Sequence, residues 1–406
     1  MTPDLTRRVR LHKLHFRRDN DCWIVGRPAT GDFVAVTLLR ALSDGQTVGE
    51  AKQQADLIHD DDIDAVEFVR DLAELGFIAA IDGQVLDSAP PKPPSLPWLQ
   101  PRHVRWLLAW PTWIAAAVII ACGLTLALMR HELHGYGAFF VFRDPGGDIA
   151  LAAVLGMAVI GCHETAHLAV ARAAGIPGWI GWSTRLVFLV AQTTVPGLWT
   201  ADRSVRIRVF LAGITCDLLI LIGCTAAMAV TPEEGLPHRV LGQLSLILLL
   251  GVAHQCALYM RTDLYYVVQE LARCKNLYAD ALDHMRYQVR RLLGKGNPGP
   301  DPVLELPAAE RRPVRGFAVL LVLGSLVTLG IFAGYEAPIT VVALTRAVGE
   351  VVRGITSGIA SPALDGGIVI ALTLTFQGLF IHAFHQKHSA RLRALRNRRA
   401  GREVMS

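Results

Sequence analysis

The sequence predicts an α-helical polytopic membrane protein: about six transmembrane helices plus a re-entrant loop, with a small N-terminal α+β winged-helix-like domain. The chain has 406 residues, of which 52% are hydrophobic and 18% are charged. Soluble domains carry about 25% charged residues. Beyond residue 105 the apolar residues form runs near the length of about 20 residues that a membrane helix needs. Before residue 88 they follow shorter helix and strand patterns.

The first 88 residues predict a small domain of strands, helices and a closing hairpin. Thr47 and Glu50 have the spacing of a capping box, which marks a helix start. Ile63, Val66 and Val69 recur at helical spacing. The predicted elements are, in order, strands at Arg8–Phe16 and Cys22–Val25, helices at Phe33–Leu42, from Thr47 and at Ile63–Leu75, and a hairpin of Phe77–Ile81 with Gln84–Leu86. Helices followed by a hairpin indicate a winged-helix module.

A proline-rich linker, residues 89–105, separates domain 1–88 from a membrane domain at 106–386, and a basic tail follows at 387–406. The predicted spans are 106–129, 149–174, 207–230, 240–269, 315–334 and 366–385. Residues 175–202 carry Pro, Gly and Arg185, which favours a re-entrant loop or hairpin. Such backbone is tolerated at membrane depth only where protein or water satisfies it. Residues 338–358 are amphipathic and are predicted to lie along the outer face.

Lysine and arginine predict the orientation, because cytoplasmic loops are enriched in both. The segment 270–314 and the tail hold many of them, whereas the loops on the opposite side hold few. Six spans with both termini in the cytoplasm satisfy this bias. The expected location is therefore the inner membrane, with the lipid bilayer as a partner. Asp60–Asp62 and Asp64 place acid at the start of the third predicted helix, which argues against nucleic-acid binding.

The second predicted span contains the segment His163-Glu164-Thr165-Ala166-His167. Two histidines four residues apart lie on one helix face and can bind one zinc ion. Glu164 lies beside them and can act as a general base toward an attacking water. The alternative is a membrane helix with structural histidines, but ionisable groups inside a span are functional by default.

A zinc site of this kind needs a third protein ligand. Asp217, His254 and Asp263 are the candidates, and depth in the membrane does not decide between Asp217 and Asp263. If the apolar run of span four includes Asp263, the span is about thirty residues long. It then needs a bend or unwound stretch near Ala257–Arg261 to fit a bilayer.

The segment GCHETAHLAVARAAGIP, with a later Asp before Tyr-Tyr, resembles the site-2 protease family of intramembrane zinc metalloproteases and its bacterial peptide zinc metalloprotease branch. The resemblance covers residues 150–280 best. It implies that His163, His167 and Asp263 bind Zn²⁺, that Glu164 is catalytic, and that the site lies toward the cytoplasmic face. The family motif around the Asp differs here, because Leu264 stands in place of Gly, and Gln255 and Leu258 stand in place of Asn and Pro.

Asp217 and His254 keep other interpretations. Asp217 could orient a ligating histidine through its second ring nitrogen, or simply form a hydrogen bond between helices. His254, with Gln255, could donate to the oxyanion of a tetrahedral intermediate or could bond between helices.

The segments ALSDGQTVGEA and DDIDAVEFVRDLAELGFI resemble the pyrroloquinoline-quinone peptide chaperone family, whose domains recognise leader peptides by adding them as a strand to a sheet edge. The resemblance implies a leader-peptide recognition domain, and the alternative is a winged-helix module that packs only on the membrane domain.

The predicted function is hydrolysis of a peptide bond near the cytoplasmic face, in leader removal from a ribosomally made, modified peptide. Two alternatives remain: cleavage of a membrane-anchored regulator, and a transporter or immunity subunit without catalysis.

Overall fold

The computed structural model describes most of the membrane domain and parts of the N-terminal domain. The described residues are 8–11, 15–19, 22–26, 36–56, 65–66, 69, 72, 78–82, 84–85, 93–129, 135–142, 144–185, 188–274, 276–294 and 300–403. Their contacts divide the chain into two compact units, the first holding residues 1–108, 168–179 and 193–208 and the second holding the rest. The domain boundaries predicted from the sequence stay predictions.

The first unit contains a small mixed domain with its own apolar core. Its helices are α1 (Val36–Ser43) and α2 (Val48–Asp56), and its strands are β1 (Val9–Leu11), β2 (His15–Asp19), β3 (Cys22–Gly26), β4 (Ile78–Ile81) and β5 (Gln84–Val85). One antiparallel sheet has the order β1-β4-β5, and β2 pairs with β3 in a second. The core includes Val9, Leu42 and Ile78. Burial of such side chains is the main stabilising term for so small a domain.

The predicted hairpin and capping box of this domain are confirmed. β4 and β5 pair, the Glu50 carboxylate accepts from the Thr47 N–H at 2.8 Å, and the Glu50 N–H donates back to the Thr47 hydroxyl at 3.3 Å. The prediction of a single strand at Arg8–Phe16 is wrong, because this stretch contains two strands: β1 pairs with β4, whereas β2 pairs with β3. Of the third predicted helix, only residues 65, 66, 69 and 72 are described, and they are helical.

Helices make up most of the remaining described chain. They are α3 (Pro101–Val104), α4 (Trp110–Met129), α5 (Pro145–Ala173), α6 (Arg203–Met228), α7 (Leu236–Gln255), α8 (Asp263–Leu271), α9 (Leu277–Leu292), α10 (Ala308–Ile331), α11 (Ala337–Ser357) and α12 (Ala360–Glu403). Six helical stretches among the described residues are long and apolar enough to cross a membrane. The chain therefore has the character of a multi-pass membrane protein.

The helices agree with the predicted spans in number and differ at their ends. A π-helical turn at Phe332–Glu336 joins α10 to α11, so that residues 308–357 form one helical run. The sequence had separated this run into a span and an amphipathic stretch, because the charged residues of 346–353 interrupt its apolar pattern. Residues 175–202 contain a hairpin of β6 (Trp179–Arg185) and β7 (Phe188–Thr194), which confirms the hairpin alternative. The predicted bend of span four is also present, since α7 ends at Gln255 and α8 begins at Asp263.

Candidate metal centre

The HETAH segment lies on α5, where helical spacing brings His163 and His167 to the same face. Their Nε2 atoms are 3.1 Å apart. Glu164 is buried on the same helix, with 7% of its surface exposed. An i, i+4 pair on a regular helix needs no special backbone to converge in this way. The local sequence alone therefore accounts for the convergence of these two histidines.

Asp263, at the start of α8, completes a group of three. Its Oδ2 atom lies 2.9 Å from Nε2 of His163 and 3.1 Å from Nε2 of His167. Among the described residues, His163, His167 and Asp263 are the one group of His, Cys, Asp and Glu side chains that could hold a metal ion. His254 is not part of this group and is exposed near the end of α7.

The Nδ1 atom of each histidine forms a hydrogen bond with a residue of α6. The Nδ1 atom of His167 donates to the Val209 carbonyl at 2.6 Å, and Nδ1 of His163 lies 2.7 Å from Oδ2 of Asp217. A carbonyl or carboxylate oxygen only accepts, so each Nδ1 carries the hydrogen. In the neutral imidazoles both Nε2 atoms are therefore lone-pair acceptors, which is the form that binds metals.

Gly213 lies between these two contacts on the same stripe of α6. Val209, Gly213 and Asp217 are spaced by four residues, as are the two histidines. A Cβ atom at Gly213 would overlap the ring atoms of both His163 and His167. The absence of a side chain at residue 213 therefore gives the imidazoles their space.

The donor set fits a cation. Two imidazole lone pairs and a carboxylate oxygen lie 2.9–3.1 Å from one another, and three such acceptors repel unless protons or a metal ion lie between them. Tetrahedral ligands about 2.0–2.1 Å from Zn²⁺ are about 3.3 Å apart, close to these separations. His₂-carboxylate sets leave one coordination position open. The residues present therefore fit a zinc ion.

The two candidate carboxylates occupy different positions around His163. Asp263 contacts the Nε2 atom of His163, and Asp217 contacts its Nδ1 atom. The Asp263 side chain is 23% exposed, whereas that of Asp217 is 5% exposed. The more accessible side of the site is therefore the one that carries the three ligand atoms.

Sequence reasoning missed Val209 and Gly213 and left the role of Gln255 open. The Gln255 side chain donates to Oδ2 of Asp263 at 3.1 Å and accepts from the Asp263 backbone N–H at 3.0 Å. The available signal for Gly213 was its position as a small residue four positions before Asp217, which places both on the same helix face. No protein-family model, curated protein or solved structure matched this chain.

Proposed function

We propose that this chain is a membrane-embedded zinc metalloprotease that hydrolyses a peptide bond. The observation that carries the proposal is the convergence of two imidazole lone pairs and the Asp263 carboxylate, within 3.1 Å of one another, next to a buried glutamate. Two histidines at i, i+4 with an intervening glutamate are typical of zinc hydrolases.

Each residue has a defined task in this proposal. His163, His167 and Asp263 hold the ion, and Asp217 and the Val209 carbonyl fix the orientation of the two rings. Zinc, when bound, lowers the pKa of water and polarises a substrate carbonyl. Glu164 takes the proton from the attacking water and delivers it to the leaving amine.

The finer topology and the substrate belong to the same proposal. Six spans with both termini in the cytoplasm, in the inner membrane, place the charged segment 270–314 and the basic tail on one side. We propose that the hairpin β6–β7 is a re-entrant element and that residues 1–88 form a winged-helix-like peptide-recognition domain. Strand β1 lies at one edge of the β1-β4-β5 sheet, and a leader peptide could add to such an edge.

Zinc content and peptide cleavage test the proposal on the full chain in detergent or lipid. We expect the purified protein to contain zinc and to generate new termini in a mixture of synthetic peptides, detected by mass spectrometry. A zinc chelator should stop cleavage, and added zinc should restore it.

The Glu164→Gln variant separates chemistry from binding. It should keep zinc but lose cleavage, because the amide cannot take a proton from water. Glu233→Gln is the matched control, since Glu233 is exposed in a loop away from the site. Cleavage by Glu164→Gln at the wild-type rate would contradict the proteolytic mechanism, and a wild-type chain that binds no zinc would contradict the whole proposal.

A further inference from the structure

Asp263 follows a break in the helix rather than lying within one. After α7 ends at Gln255, residues Leu258–Met260 form a short 3-10 turn and Arg261 adopts a left-handed conformation with φ 58°. A non-glycine residue in this region costs on the order of 1 kcal/mol or more and persists only where its surroundings impose it. The break must therefore be held by specific contacts.

The first contact is the Gln255 side chain. Its Oε1 accepts from the Asp263 N–H at 3.0 Å, which fixes the amide so that its Nε2 faces the carboxylate. That Nε2 donates to Oδ2 of Asp263 at 3.1 Å. Because Oδ2 is the atom that contacts both histidines, the amide determines which carboxylate oxygen faces them.

The second contact joins the break to α10. The Tyr259 hydroxyl and the Thr328 hydroxyl are 2.7 Å apart. The Tyr259 ring lies so close to Gly324 that a Cβ atom at residue 324 would overlap it. The turn is therefore docked on a helix that contributes no residue to the metal centre.

We infer that Gln255 and Tyr259 are positioning residues for Asp263, with Gly324 and Thr328 of α10 as the docking site for Tyr259. The inference rests on the proposed zinc site. Gln255 orients the carboxylate from within the break, and α10 holds the break in place. The metal centre then depends on a helix that does not touch it.

Zinc affinity of the full chain, measured by competition with a chelator of known affinity, tests the Gln255 contact. Gln255→Leu should weaken zinc binding about 10–100-fold, the usual cost of removing a group that orients a metal ligand. Cys256→Ser is the matched control in the same break. The Cys256 side chain is exposed and is outside the group of possible metal ligands, so this variant should bind zinc as the wild type does.

Gly324→Ala tests the docking on α10. It should weaken zinc binding, because the added methyl group displaces the Tyr259 ring and with it the break. Gly330→Ala is the control on the same helix, where an added Cβ meets no atom within 4 Å. The visible absorption of the Co²⁺-loaded protein, which reports coordination geometry, should change in Gly324→Ala and Gln255→Leu but not in the two controls.

The outcomes are distinct. Weakened zinc binding with an altered Co²⁺ spectrum in both test variants, at an unfolding midpoint of the metal-free protein close to that of the controls, supports the inference. Wild-type zinc affinity in Gln255→Leu or in Gly324→Ala overturns the role of the contact that the variant removes, and an equal loss in Cys256→Ser overturns the specific role of the Gln255 amide. If the wild-type chain binds neither Zn²⁺ nor Co²⁺, the proposed function itself fails.

Discussion

The two halves of the candidate metal centre are built in opposite ways. On one side α5 and α6 are continuous helices, and their i, i+4 stripes meet directly: His167 against Val209 and His163 against Asp217. On the other side Asp263 follows a broken helix with a left-handed residue at Arg261. Helical periodicity aligns the residues of each stripe in the first half, whereas the second half requires contacts that hold an unfavourable turn. The two halves should therefore fail for different reasons.

The largest effect in the continuous half is expected from Gly213→Ala. The added methyl group would overlap both imidazole rings, so the rings or the helices must move apart. Removal of a group that orients a metal ligand lowers metal affinity about 10–100-fold. We expect Gly213→Ala to lower zinc affinity by more than this. Zinc titration of the purified variant measures this loss.

Gly223→Ala provides the control for that prediction, because it lies on α6 and its added Cβ meets no atom within 4 Å. Zinc binding by this variant should match the wild type. Undiminished zinc affinity in Gly213→Ala would contradict the close approach of α6 to the two imidazole rings of α5.

A smaller effect is expected from Asp217→Asn. The amide keeps the shape of the side chain but removes the charge next to Nδ1 of His163, so zinc affinity should fall about 10–100-fold. His254→Ala should leave zinc affinity unchanged, since His254 is exposed and outside the group of ligands. If Asp217→Asn lowers only the stability of the fold, Asp217 is an interhelical hydrogen-bond partner and no more.

The smallest effect is expected beyond the break, in the segment that joins α9 to α10. Burial raises the pKa of the Asp301 carboxyl, but hydrogen bonds from His284 at 2.8 Å and from the Val303 N–H outweigh it, so that its pKa is lowered. Asp301→Asn should reduce the free energy of unfolding by about 1 kcal/mol and leave zinc binding unchanged.

The pH dependence of this contact follows from the direction of the shift. A carboxyl whose pKa is lower in the folded state stabilises the fold above its unfolded pKa of about 3.9, and this contribution is lost as the pH falls below that value through the folded pKa. Chemical unfolding of wild type and Asp301→Asn at neutral and acidic pH should therefore differ near neutrality and converge in acid. A constant difference across this range would contradict the assignment.

Much of the architecture could be predicted because it depends on local pattern. The apolar runs indicated six helices of spanning length, and the capping box of Thr47 and Glu50 marked the start of α2. The length of the fourth apolar run required a bend, which is present between Gln255 and Asp263. The strand predicted at Arg8–Phe16 was wrong, because pairing partners, not strand propensity, divide it between two sheets.

The sequence by itself determined that His163, Glu164 and His167 share one helix with the spacing of a zinc hydrolase, since this depends only on 3.6 residues per turn. Only the tertiary structure separated the two carboxylates, with Asp263 at the Nε2 atoms and Asp217 at Nδ1 of His163. Depth along a span is one coordinate, and it is similar for both residues. Which face each residue presents depends on how α6 packs and where the fourth run breaks, and those contacts join residues that lie 42 to 69 positions apart in the chain.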